Sequence, residues 1–359
     1  MLVWMAVALL PAFGLTAAVT QAYKAEQRHL AAEWFARGER ALEDDKPAEA
    51  IVAFRTALTF SGEDRAFRLR LAQALAEDGR PTEARAYLLT LRDAQPGSGP
   101  VNLALARLAA GSGNKTEAYR YYHAAIEGAW TDSAEVQRRA IRVELARYLV
   151  QSGDRLQAQA ELVVLEGDLP PHPDEQRSVA ALMLEAGLAS RAQRVYEQLL
   201  QEDNRNAASL AGAGRAAFEQ GDYRTAESFL SKAEAAGATG EPVASTLALA
   251  RSIVALDPYQ RGLTIRARLA RAREALDIAS ARLHGCAADS SDPRFPQLGE
   301  ELAKLQGLLA PASRDPDLLD TAMEIVFRVE QIAAAECGEP QGPDRALLLI
   351  ARARTRGAP

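Results

Sequence analysis

The sequence is poor in the residue types that build catalytic and metal centres. It has two cysteines and four histidines among 359 residues. His29, His123, His172 and His284 are scattered along the chain, and neither a Ser-His-Asp arrangement nor a glycine-rich phosphate loop can be placed. We therefore expect a protein that is not an enzyme and uses no cofactor. An enzyme with a cryptic site in the C-terminal helices is the weaker alternative.

Aromatic residues and net positive charge are also scarce. Aromatics make up 6% of the chain, its formal net charge is -6, and its pI is about 5.5. Because phosphate binding requires a basic face, this balance argues against nucleic acid as a partner. Alanine is abundant instead, which suits closely packed helices and gives a β-sheet little to bury. The composition favours an all-α fold.

The segment from Met1 to Thr20 contains no charged side chain. A helix of that length spans about 30 Å, the thickness of a hydrocarbon core. A cleaved signal peptide is the alternative, but the start lacks Lys or Arg, and Thr20-Gln21-Ala22 is a poor cleavage site. We expect an uncleaved transmembrane anchor over residues 1–22, through which the protein contacts the membrane.

The two cysteines, Cys286 and Cys337, both lie near the C-terminus. An isolated pair is consistent with a disulfide in an oxidising compartment, and it closes a loop of about 50 residues. Two free thiols in a cytosolic protein are the alternative. A metal site at His284-Gly285-Cys286 is a weaker one, because so few ligands are poor evidence. We expect a disulfide, no metal, and a soluble part on the periplasmic or extracytoplasmic side.

The middle of the chain is a series of repeated units, most of which follow one another at a period of about 34 residues. Units begin at positions 31, 65, 99, 139, 173 and 207, and a short insertion lies between positions 128 and 138. Positions 8 and 20 of each unit hold only small residues, which lets two helices approach closely. Position 20 is occupied by Ala50, Ala84, Ala118, Ala158, Ala192 and Ala226. Position 8 is occupied by Gly38, Ala72, Ala106, Ala146, Ala180 and Gly214.

Two further columns complete the helix–turn–helix pattern. Position 24 carries large residues that fill the space left by the small ones. They are Phe54, Leu88, Tyr122, Leu162, Tyr196 and Leu230. Position 15 is the turn, where glycine ends the first helix with a positive φ. It holds Asp45, Gly79, Gly113, Gly153, Gly187 and Gly221.

These columns resemble the tetratricopeptide-repeat (TPR) family over residues 31–240. The resemblance implies an α-solenoid, a right-handed superhelix of six units at residues 31–64, 65–98, 99–132, 139–172, 173–206 and 207–240 within 23–240. Residues 241–359 would form a degenerate seventh pair and a helical cap. In that region we expect a polar loop at 287–296 and helices over 243–256, 263–283, 297–309, 317–336 and 343–354.

The family implies recognition of an extended peptide or a partner protein on the inner face, which the first helix of each unit lines. Positions 5, 9 and 12 share one face of that helix. The predicted peptide groove consists of Phe35, Glu39, Leu69, Gln73, Leu103, Arg107, Val143, Arg147, Arg177, Arg215 and Phe218. Its arginines would favour an acidic ligand, although they are alternatively ordinary solvated or internally paired residues.

The carboxylate-clamp subtype of the family is disfavoured, because position 9 has no Asn. We expect a non-catalytic protein-interaction scaffold at the membrane. The alternative function is an accessory factor for envelope polysaccharide or lipid assembly, for which only Phe35 and Phe218 offer stacking rings.

Overall fold

The computed structural model of this chain describes residues 2–62, 64–289, 292–309 and 315–357. Side chains are described from residue 13 onward, apart from those of residues 14, 289 and 355–357. The described residues form α-helices and no strand, with a single isolated bridge between Ser98 and Ala129. The all-helical fold predicted from the sequence is confirmed. The chain divides into two compact units, Met1–Asp168 and Leu169–Pro359.

Unit 1 contains eight helices in its described part. They are α1 Leu2–Glu43, α2 Pro47–Phe60, α3 Arg65–Glu77, α4 Pro81–Ala94, α5 Gly99–Gly111, α6 Lys115–Glu127, α7 Ala134–Gln151 and α8 Arg155–Glu166. Successive helices pack against each other as antiparallel pairs, as short connections require. The odd-numbered helices are the first helices of the repeat units.

Unit 2 contains nine helices in its described part. They are α9 Pro173–Glu185, α10 Ala189–Glu202, α11 Ala207–Glu219, α12 Tyr223–Ala235, α13 Glu241–Leu256, α14 Ile265–Asp289, α15 Arg294–Leu308, α16 Asp317–Cys337 and α17 Gly342–Gly357. The helices from α13 onward share one apolar core, which includes Ile253, Leu276, Val326 and Leu347.

The turn column adopts the geometry that its residues predict. All six residues at position 15 have positive φ, from 57° at Asp45 to 86° at Gly187. This left-handed conformation is unstrained for glycine, and aspartate tolerates it better than most residues. The turn therefore ends the first helix of each unit at the same place.

The small and large columns meet inside the helix pairs. A Cβ added to Gly38 would lie 2.4 Å from the ring of Phe54, and one added to Gly214 would lie 2.6 Å from Leu230. All six alanines at position 20 are fully buried. The backbones of the paired helices thus approach closely, and one large side chain fills each crossing.

The insertion between the third and fourth units has two structural roles. α7 begins at Ala134, whereas the fourth repeat unit starts at position 139. Part of the insertion therefore adds more than one turn to the N-terminal end of α7. The preceding segment folds back on the start of α5. Gly99 N–H donates to Ala129 O at 3.1 Å, and Ala129 N–H donates to Gly97 O at 2.8 Å.

The predicted membrane anchor at residues 1–22 gains no support. Most of its side chains lie outside those the structure describes, and no helix of the described part is long and apolar enough to span a bilayer. Lys24, Glu26 and Arg28 follow the predicted anchor directly.

The C-terminal region differs from the expectation in two respects. α14 continues to Asp289 and α15 begins at Arg294, so the predicted loop at 287–296 is much shorter. Phe295, in the first turn of α15, is buried in the core, so this end of the predicted loop is helical and packed. In addition, α13 packs mainly against α12 and α17, and only slightly against α14. α17 therefore occupies the position beside α13 that α14 would have in a seventh repeat pair.

Candidate functional site

A cleft of about 590 Å³ opens between α3 and α5 in unit 1, and we call it the α3–α5 cleft. Its lining combines small and aliphatic residues with four charged or amide side chains. The lining residues are Arg70, Ala72, Gln73, Ala76, Glu77, Gly79, Pro81, Leu88, Ala104, Arg107, Leu108, Gly111 and Ser112. The volume lies within the roughly 300–1,000 Å³ typical of ligand sites, and the mixture of apolar floor and few polar groups is typical as well.

On each side of this cleft, an ion pair joins the first helices of two successive repeat units. On one side, Arg70 of α3 donates from Nε to Glu39 of α1 at 2.8 Å and from Nη1 to Gln73 Oε1 at 3.0 Å. On the other, Arg107 of α5 donates to both carboxylate oxygens of Glu144 on α7, at 2.9 and 2.8 Å. The two arginines are therefore held in fixed positions at the cleft.

The repeat positions explain why the opening lies where it does. Both ion pairs join position 9 of one repeat unit to position 6 of the next. In the first pair position 9 is acidic and position 6 basic, and in the second pair the signs are reversed. Between the second and third units the corresponding residues are Gln73 and Ala104. Alanine has no side chain with which to reach across, so the link is missing there and both residues line the cleft.

Glu144 is the centre of a small polar network. Tyr122 of α6 donates its hydroxyl to Glu144 Oε1 at 2.8 Å. Burial alone would raise the pKa of Glu144, but the hydrogen bonds from Arg107 and Tyr122 outweigh it and hold the pKa below its usual value. The hydrogen bond to Glu144 in turn raises the pKa of Arg107. Both groups are thus charged at neutral pH.

The arginine side chains remain accessible despite their pairing. The side chain of Arg107 is 58% exposed and that of Arg70 is 41% exposed, and Nη1 of Arg107 makes neither bond to Glu144. A guanidinium with free donors at the edge of an apolar cleft suits a carboxylate or a backbone carbonyl of a ligand.

The structure brings only part of the predicted groove to this cleft. Gln73 and Arg107 line it, and Glu39 supports it through Arg70. Phe35 is instead occupied with packing, because its ring stacks on Phe67 with centroids 4.4 Å apart. The aliphatic members of the set are buried or half-buried on their helices. They are Leu69, Leu103 and Val143.

The remaining predicted residues have varied surroundings. Arg147 on α7 is exposed, and its charge acts on Glu144. In unit 2, Arg177 forms an ion pair with Asp174 in its own helix, and Phe218 packs edge-on against Tyr223 with ring centroids 5.2 Å apart. Arg215 is exposed. Arg107 and Arg177 are therefore paired within the protein, as the alternative interpretation of the groove arginines expects.

The face formed by positions 5, 9 and 12 does not include the position-6 residues Arg70, Ala104 and Glu144, so the predicted groove lacks them. Comparing column 9 of each unit with column 6 of the next would have found them. The opposite charges of Glu39 and Arg70, and of Arg107 and Glu144, are visible in the sequence.

Cys286 and Cys337 form a disulfide, with their Cα atoms 5.8 Å apart. It joins the C-terminal end of α14 to that of α16, as the sequence predicts. Bonded sulfurs do not serve as thiolate ligands, so this pairing argues against the metal reading of His284-Gly285-Cys286. Within the described part of the chain, no group of three or more potential ligands converges on a metal site.

Comparison with known proteins agrees with the repeat pattern. The family model described as Tetratricopeptide repeat matches residues 41–108 and 183–251. A comparison with curated proteins found no match.

Among solved structures, PilF of Pseudomonas aeruginosa is 18% identical with a TM-score of 0.43, and the match covers 60% of this chain and 95% of that one. The C-terminal part of a TPR protein from Cytophaga hutchinsonii is 14% identical with a TM-score of 0.45, and the match covers 80% and 98%. YrrB, described as a TPR protein with an unusual peptide-binding site, is 14% identical with a TM-score of 0.41, and the match covers 52% and 92%.

Proposed function

Because the chain belongs to the tetratricopeptide-repeat family, we propose that it is a non-catalytic protein-interaction scaffold that binds a peptide segment of a partner in the α3–α5 cleft. The observation that carries this proposal is the missing link between Gln73 and Ala104, flanked by two arginines that neighbouring helices hold in place. Preorganised donors lower the entropic cost of binding.

The lining defines the chemistry of the ligand. Ala72, Ala76, Leu88, Ala104 and Leu108 offer an apolar floor, which suits a small aliphatic side chain. Arg70 and Arg107 flank it and suit a carboxylate. We therefore infer that the ligand is an extended segment that carries an acidic residue beside an aliphatic one.

The alternative function, assistance in envelope polysaccharide or lipid assembly, has less support. Every residue lining the α3–α5 cleft is aliphatic or polar, whereas sugar recognition favours stacking on aromatic faces. Phe35 is committed to Phe67 and Phe218 to Tyr223.

A photo-cross-linking residue at Glu77, which is exposed and lines the cleft, tests where a partner binds. The matched control is the same residue at Thr90, which is exposed on α4 and does not line it. We expect a partner to be captured from position 77 and not from position 90. Equal capture from both positions would contradict the proposed site.

Variants of the cleft test affinity for the partner so identified. We expect Ala104→Leu, which fills the opening, and Arg107→Ala, which removes the donor, each to weaken binding at least tenfold. Arg120→Ala is the control, because Arg120 is exposed on α6 and lies over Tyr121, away from the cleft. Unchanged affinity in Ala104→Leu would refute peptide binding in the cleft.

The location stays a prediction: a membrane-anchored protein with its soluble part outside the cytoplasm. The Cys286–Cys337 disulfide favours an oxidising compartment. Thiol labelling of protein that is unfolded without reduction tests this in the cells that produce it. Ready labelling of both cysteines would refute an oxidising location.

A further inference from the structure

The C-terminal helix α17 has an acidic pair at its base. Asp344 lies in the first turn of α17, and Glu330 lies on α16, which packs against it. Glu330 is fully buried, and neither of its carboxylate oxygens has a donor in the described structure. Oδ1 of Asp344 likewise lacks one. In such a setting burial and mutual repulsion disfavour the state in which both carboxyl groups are ionised.

The charged group that faces this pair from the third helix is Arg282 on α14. Its charge acts on both carboxyl groups. It is not the hydrogen-bond partner of either, since Nη2 donates to Gly338 O at 2.7 Å and Nε is buried without an acceptor. Arg282 therefore offsets part of the negative charge but leaves both oxygens of Glu330 and Oδ1 of Asp344 without a donor. A proton on one of the two carboxyl groups supplies that donor.

Most of the remaining docking surface of α17 is apolar, apart from Arg354, whose guanidinium lies 3.7 Å from the centroid of the Tyr259 ring. Ala346, Leu347, Ile350 and Ala351 are almost fully buried, and the helix packs against α13, α14 and α16. Apolar burial does not depend on pH, and burial raises the pKa of Tyr259 above its usual value, so Tyr259 stays neutral between pH 6 and pH 9. The acidic pair is the part of this interface whose charge changes in that range.

We propose that α17 is held in place by a proton shared between Glu330 and Asp344, and that loss of this proton loosens the helix from α13. Glu330 in its neutral form donates to the Asp344 carboxylate. When that proton passes to solvent, two negative charges remain beside Arg282, one on the fully buried Glu330 and one on the half-buried Asp344. A cavity of about 390 Å³, lined by Arg282, Gly285, Cys286 and Asp344 among others, gives water a route to Asp344, the half-buried member of the pair.

The direction of the pH dependence follows from the pKa shifts. Burial, and next the charge of Asp344, raise the pKa of Glu330 to about 8, and burial also raises the pKa of Asp344. A carboxyl group whose pKa is raised in the docked state stabilises that state fully at low pH. The stabilisation is lost as pH rises toward about 8. α17 is therefore firmly docked in mildly acidic solution and looser in alkaline solution.

Hydrogen–deuterium exchange of the full chain, with the disulfide intact, tests this proposal. Protection factors of α17 amides, corrected for intrinsic exchange, are compared at pH 6 and pH 9. We expect about a tenfold or greater fall in α17, without a matching fall in α11 and α12. In Glu330→Gln the amide donates to Asp344 without titrating, so α17 protection should stay constant. Glu324→Gln, at an exposed position of the same helix, is the control and should behave as the wild type does.

Two results would overturn the proposal. One is wild-type protection of α17 that does not change with pH. The other is Glu330→Gln showing the same fall as the wild type. If Glu330→Gln does not fold, as judged by circular dichroism, Asp344→Asn takes its place. It removes one of the two charges, so its fall in protection should be smaller than that of the wild type, and an equal fall would refute the shared proton.

Discussion

Arg107 on α5 and Glu144 on α7 form a two-bond ion pair, with Nε and Nη2 of the arginine 2.9 and 2.8 Å from the two carboxylate oxygens. The pair joins the first helices of the third and fourth units across the insertion between them. Glu144 also accepts from the buried Tyr122, so one carboxylate ties three helices together.

A double-mutant cycle measures this link. We expect Arg107→Ala to cost ~0.5–1 kcal/mol, because Arg107 is largely exposed. Glu144→Ala should cost about 1–2 kcal/mol, because it leaves the Tyr122 hydroxyl without its acceptor. The coupling energy should be about 0.5–1 kcal/mol. Urea unfolding followed by tryptophan fluorescence suits this test, because every tryptophan of the chain lies in unit 1, Trp130 being the last. Strict additivity would show that the pair contributes nothing.

Acidification should weaken unit 1 through the same carboxylate. Because the pKa of Glu144 is lowered in the folded protein, its contribution is present above the unfolded value and is lost as pH falls through the folded one. We expect the wild type to lose ~1 kcal/mol more than Glu144→Gln between pH 6 and pH 3. The measurement is urea unfolding by tryptophan fluorescence at each pH. Equal losses in the two proteins would exclude Glu144 as a source of acid sensitivity.

Gly99→Ala should destabilise unit 1, because the added Cβ would lie 2.3 Å from the indole of Trp130. The indole N–H donates to Ala125 O at 2.9 Å, so the ring cannot move away without losing that bond. We expect a loss of about 1–3 kcal/mol and a shift in tryptophan emission. Gly97→Ala is the matched control, since its Cβ would meet nothing within 4 Å. A similar loss in both variants would implicate loop flexibility and not the clash.

Reduction of the Cys286–Cys337 disulfide should destabilise unit 2, because the bond closes a loop of 51 residues. We expect a loss of about 2–4 kcal/mol, measured by thermal unfolding with circular dichroism. A Cys286→Ala, Cys337→Ala double variant should be as unstable as the reduced protein and insensitive to reductant. If reductant lowers the melting temperature of the double variant as well, the effect does not come from this bond.

Much of the fold can be predicted from the repeat columns because those columns describe contacts inside one unit. Position 8 meets position 24 within the same helix pair, as Gly38 meets Phe54, and position 15 ends the first helix locally. Such contacts recur at fixed sequence separations, so they leave a periodic signal.

The candidate site was only partly predictable. The helical face predicts Gln73 and Arg107, but the cleft itself arises from a contact between repeat units that is missing at Ala104. The roles of Arg70 and Glu144 depend on which side chain stands opposite each of them on the next helix.

The sequence by itself determined the helices, their turns and the packing within each pair, since all of these follow from small, large and turn residues at fixed spacing. Only the tertiary structure decided which helices adjoin across long separations. α13 takes α17 as its neighbour although three helices intervene along the chain, and no period spans that distance. Likewise, Glu330 and Asp344 are ordinary acidic residues in the sequence. Their burial together beside Arg282 turns them into a titratable pair, because burial changes the free energy of their charged forms.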